Sequence, residues 1–74
     1  MIKMKYAWVC IIKELCKNDL NVSKTARSMN YHRNSLCYHI NDIKAETGYD
    51  PRTFYGATAL LKMIEEDSHD QSQV

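Results

Sequence analysis

The stretch NVSKTARSMNYHRNSLCYHI, residues 21–40, decides how the rest of the chain is read. Asn21 is a favourable helix N-cap, and Val22, Thr25, Ala26 and Met29 after it share one helical face. Asn30 follows, and asparagine is the non-glycine residue that most readily takes the left-handed conformation of a sharp helix-to-helix turn. Tyr31 fills the corner, and a second helix begins near His32. Leu36, Ile40, Ile43 and Thr47 line its buried stripe until Gly48 supplies a C-terminal cap.

Two helices across a tight turn, with the small Ala26 where they approach, are the sequence marks of a helix-turn-helix. In that motif the second helix enters the major groove of DNA by its N-terminal end. The residues expected at base edges are therefore His32, Arg33 and Asn34. Arginine can hold guanine O6 and N7 bidentately, asparagine can do the same for adenine, and histidine can bond a base or a phosphate. With Leu36 at the centre of the core stripe, Asn34, Ser35, Tyr38 and Asn41 point outward and Arg33 stands at their flank. Ser23, Lys24, Arg27, Ser35, Tyr38 and Lys44 are the expected phosphate contacts. Read without the surrounding pattern, Lys24, Arg27 and Lys44 are ordinary surface charge.

Working outward from the motif, Trp8, Ile12, Leu15 and Cys16 recur at helical spacing, with Val9 and Ile11 alongside, which predicts an amphipathic first helix over about Lys5 to Lys17, ended by Asn18-Asp19. On the other side Asp50-Pro51 reads as a restart, with Asp50 as N-cap and Pro51 at the first helical position. Phe54, Ala57, Thr58, Leu61 and Ile64 would form the buried stripe of the last helix. The expectation is an all-α, small four-helix domain over residues 1–66, with a polar, aperiodic and disordered tail at 67–74.

Composition supports this scale. Seventy-four residues, 45% of them hydrophobic, make one core and leave no room for a second domain or a deep substrate cavity. Two glycines and one proline favour long helices over the many turns of a small β protein. The net charge of +1 hides a basic middle and an acidic end at Glu65, Glu66, Asp67 and Asp70. Any anionic partner should meet the middle. Cys10, Cys16 and Cys37 are an odd number without paired spacing, which suits free thiols in a reducing cytoplasm.

The apolar run from Tyr6 to Ile12 is too short for a membrane span of about 18 residues, and it lacks the cleavage site of a signal peptide. A cytoplasmic protein without membrane contact, associated with the nucleoid when bound to DNA, is expected. Cys37 and His39 lie two apart on a helix and point to different faces, so no metal is expected. No nucleophile is joined to a base and no phosphate loop is present, so neither a cofactor nor an enzymatic activity is expected.

The segment NVSKTARSMNYHRNSLCYHINDIKAETG, residues 21–48, also resembles the C-terminal helix-turn-helix of PucR-type transcriptional regulators and, more distantly, Fis-type helix-turn-helix domains. The shared pattern is N-V-S-x-T-A, then H-R-N-T-L-x-Y-x-I/L-x-x-I, then T-G. It is carried here by Asn21, Val22, Ser23, Thr25, Ala26, His32, Arg33, Asn34, Leu36, Tyr38, Ile40, Ile43 and Gly48, with Ser35 in place of the usual threonine. The resemblance implies a bacterial or bacteriophage DNA-binding domain that works as a dimer, with the helix from His32 as recognition helix. Cys37 and His39 stand where the family commonly carries arginines, and Asn30 takes the place of its turn glycine. The large sensory region usual upstream is not expected here.

Lys24, Arg27, Arg33 and Lys44 could neutralise about four phosphates, a salt slope of roughly −3.6 for one protomer. That is weak, and a homodimer through the first or last helix would double it and place two recognition helices about 34 Å apart. The contrasting reading is a helix-turn-helix that has lost charge at Cys37 and His39 and binds a protein partner, as an antirepressor or adaptor would.

Overall fold

A computed structural model describes residues 4–72, with side chains through Glu66. It contains helices α1 (Tyr6–Lys17), α2 (Val22–Ser28), α3 (Arg33–Thr47) and α4 (Phe54–Ser72), and no strand among the described residues. The all-α expectation holds. Residues 73 and 74 of the expected tail, and all of its side chains, lie outside the described residues.

Helix α1 is the hub, because α2, α3 and α4 all pack against it. Ile11, Ile12 and Leu15 are fully buried and Trp8 is 6% exposed. A helix touched from three directions needs a wide apolar face, so Ile11 joins the stripe, whereas Cys16 is only half-buried. The three cysteines are free thiols. Burial pushes the Cys16 thiol pKa up, which disfavours the reactive thiolate there.

The link from α1 to α2 holds a feature that periodicity does not reveal. Asp19 and Leu20 both adopt left-handed backbone, at φ 57° and 63°. The turn closes when Leu20 N–H donates to the Leu15 carbonyl at 2.7 Å. Ser28 then ties α2 back to α1 by donating its hydroxyl to Glu14 Oε2 at 2.8 Å. Asn21 caps α2 as expected, its side-chain oxygen accepting from Lys24 N–H at 2.9 Å.

Met29 to His32 make the turn into α3. Asn30 is left-handed at φ 62°, and Tyr31 N–H donates to the Ala26 carbonyl at 2.7 Å. Ala26, 3% exposed, lies in the core with Leu36, and Tyr31 packs half-buried against that cluster. Thr25 is the one buried polar residue of the described core, and its hydroxyl is satisfied by the Asn21 carbonyl at 2.7 Å. In α3, Leu36, Ile40 and Ile43 are fully buried, and Gly48 ends the helix at φ 81°.

The entry to α4 corrects the expected restart. Asp50 does not cap the helix: its carboxylate accepts from Arg52 N–H at 2.9 Å, closing a local turn that contains the buried Pro51. The capping role passes to Thr53, whose hydroxyl accepts from Gly56 N–H at 2.9 Å, and α4 begins at Phe54.

The buried stripe also differs from the expected one. Ala57, Leu60 and Ile64 face the core, Leu61 is half-buried, and Thr58 is exposed. Phe54 is 81% exposed and borders an open groove of about 410 Å³ with Cys16, Leu20 and Leu61. Gly56 makes the tight entry feasible, because a Cβ there would come within 2.7 Å of the Asp50 carbonyl carbon.

Candidate nucleic-acid interface

The N-terminal ends of α2 and α3 come together at one edge of the helix pair. Arg33, the first residue of α3, donates through Nε to the hydroxyl of Ser23, the second residue of α2, at 3.0 Å. Beside it His32 caps α3, its Nδ1 accepting from Asn34 N–H at 3.3 Å. The helix thus begins at Arg33 with His32 as its cap, in line with a start expected near His32. An accepting Nδ1 leaves Nε2 as the ring's donor, directed away from the backbone.

His32, Arg33, Asn34 and Ser35 are all exposed, as are Ser23, Lys24 and Arg27 on α2. Tyr38 is 75% exposed, which sets its ring outside the core. His39 is exposed, with its ring 5.8 Å from that of Tyr31. Cys37 is half-buried. Lys44 is exposed in the last turn of α3, about 16 Å along the axis from Arg33. The sequence-selected residues thus fall into a tight cluster at Ser23, His32, Arg33 and Asn34, with Lys24 and Arg27 on the adjoining helix and Lys44 at the far end.

Arg52 was not among the residues selected from sequence. Its guanidinium pairs with Asp50 through Nε at 3.0 Å and Nη2 at 3.1 Å, and Nη2 also reaches Asn41 Oδ1 on α3 at 3.4 Å. The Arg52 hydrogen bonds hold the Asp50 carboxyl below the usual carboxylate range, with help from the Lys44 charge and against the effect of burial. A cation next to Asn41 thus braces the outward side of α3 while remaining neutralised by Asp50. Only its place after Asp-Pro hints at this, since i to i+2 pairing across a proline turn is local.

Among the described residues no group of His, Cys, Asp or Glu could hold a metal ion, and no helix is long and apolar enough to cross a membrane. The exposed surface of the α2–α3 unit is polar, hydrogen-bonding and mildly cationic.

Residues 11–64 match the family model of the PucR C-terminal helix-turn-helix domain. The match covers most of the chain, including all of α2 and α3, and the chain belongs to this family. No curated protein and no solved structure matches it. The family is of the DNA-binding, regulatory kind, and its helix-turn-helix model spans α2 and α3.

Proposed function

We propose that this chain reads double-stranded DNA in a sequence-specific manner as a homodimer, with α3 of each protomer in the major groove. The observation that carries the reading is the exposed cluster at the start of α3: His32, Arg33 and Asn34 all face solvent at the end of the helix that a helix-turn-helix presents to bases. Arg33 reads a guanine, Asn34 an adenine edge, and His32 a base or the adjoining phosphate. Ser23, Lys24, Arg27, Ser35, Tyr38 and Lys44 set the register by contacting phosphates.

Two protomers are required because one offers too few cations for tight binding at physiological salt. The exposed Tyr6 and Phe54 stand on α1 and α4, the helices from which a dimer surface would be drawn. The protein acts in the cytoplasm of a bacterium or of a phage-infected cell, needs no cofactor and catalyses no reaction.

A second reading is favoured by Cys37 and His39, which remove two charges from α3. On that reading the same surface binds a protein. The discriminating experiment is Arg33→Ala in duplex titrations at moderate salt. Base reading predicts a loss on the order of 1–3 kcal/mol on the preferred site and a blurred preference. Unchanged affinity and preference would remove Arg33 from the reading surface and move the search to a protein partner.

A further inference from the structure

We propose that Ser23 is a positioning residue for Arg33, acting on base discrimination rather than only on phosphate affinity. The inference rests on the DNA-reading function proposed above and assigns a mechanism to it.

The guanidinium carries one N–H on Nε and two on each terminal nitrogen, and it can meet two acceptors either from the side, through Nε and Nη2, or end-on, through Nη1 and Nη2. In this protein Nε is already engaged by Ser23 Oγ at 3.0 Å. The side-on approach is closed while that bond persists, and the end-on fork is the one left to address guanine O6 and N7.

The bond also spans the turn of the motif, joining residues ten apart on two different helices. It orders a long side chain before DNA arrives, so less rotamer freedom is lost on binding. A serine hydroxyl can accept from Nε and still donate its own proton. Ser23 can therefore hold Arg33 while its O–H meets a phosphate oxygen, linking the register set by the backbone to the direction of the base-reading fork.

The test uses the full chain, the duplex enriched from a random pool, and that duplex with each base pair changed singly. Ser23→Ala should reduce discrimination at the base pair read by Arg33 by roughly threefold to tenfold, the value of one hydrogen bond, while leaving discrimination elsewhere intact. Ser23→Thr, which keeps the hydroxyl, should restore it. In an Arg33→Ala background Ser23→Ala should cause no further loss of discrimination. In the free protein, exchange of the Arg33 Nε proton with water, followed by NMR, should be slow in the wild type and Ser23→Thr and faster in Ser23→Ala.

If Ser23→Ala weakens every duplex equally, or if the Arg33 Nε proton exchanges alike in all three proteins, the positioning role is wrong. If the wild type itself prefers no sequence, the base-reading function has failed, and that outcome is recognised without any variant.

Discussion

Gly56 lies directly beneath the Asp50 backbone, so close that a Cβ on Gly56 would come within 2.8 Å of Asp50 N and overlap the Asp50 carbonyl oxygen. The obstructing atoms are backbone and cannot swing aside, so the first turn of α4 would have to move. Gly56→Ala should therefore destabilise the domain by about 1–3 kcal/mol despite alanine's better helix propensity. Gly48→Ala meets nothing within 4 Å, and its cost is confined to the strain of φ 81°. Denaturant unfolding of the two variants checks the contrast. A Gly56→Ala protein as stable as the wild type would contradict the close approach.

Asn30 makes the α2–α3 turn with left-handed backbone at φ 62°. Asn30→Gly should match or exceed wild-type stability, because glycine occupies this region without steric cost. Asn30→Ala should lose about 1 kcal/mol. Thermal unfolding resolves such a change, since about 1 kcal/mol shifts Tm by roughly 4–8 °C in a domain of this size. Equal midpoints for the alanine and glycine variants would sink the left-handed assignment.

The Asp50 carboxyl is held down chiefly by the side-chain hydrogen bond from Arg52. A folded-state pKa below the unfolded value of about 3.9 means that the unfolded chain binds the proton more tightly. The stabilisation is therefore present above that unfolded value and is lost as pH falls through the folded one. Asp50→Asn keeps an acceptor for Arg52 N–H but removes the charge. The stability difference between wild type and Asp50→Asn should be largest near neutrality and shrink as pH is lowered below about 4. A difference independent of pH would mean that the Arg52 pair contributes nothing through ionisation.

Lys24 and Arg27 are exposed cations on α2 and differ from Arg33 in what they should do. Lys24→Ala should weaken binding to all duplexes alike and reduce the steepness of the salt dependence by about 0.9 for each phosphate that is no longer neutralised. Affinity measured over a series of salt concentrations gives the slope directly. A change in sequence preference without a change in slope would assign Lys24 to bases instead.

Where a local physical rule had one solution, sequence was sufficient. Asn21 had a helix to cap, Asn30 and Gly48 are residues that tolerate left-handed backbone, and the Leu36, Ile40 and Ile43 stripe fixed the buried side of α3. Where two local solutions competed, it was not. Asp50-Pro51 suits either a helix start or a tight turn, and the choice of the turn moved the cap to Thr53 and left Phe54 outside the core. Periodicity establishes that α4 has an apolar face but not which of the overlapping stripes is buried, which its packing against α1 decides.

Leu20 gave no warning of its left-handed backbone, a conformation leucine does not favour, which accompanies the local closure of the end of α1 by the Leu20 N–H bond to the Leu15 carbonyl. At the candidate interface the exposed residues could be found from the motif and its spacing. The Ser23–Arg33 bond could not, since it depends on how the two helices cross.

Selection of bound sequences from a random duplex pool at about 50–100 mM salt addresses the DNA-reading function most directly. A dimeric base reader predicts enrichment of an inverted repeat whose half-sites lie one helical turn apart, about 34 Å, bound by two protomers. Recovery of an unenriched pool, with binding that is absent or depends on salt alone, would contradict it.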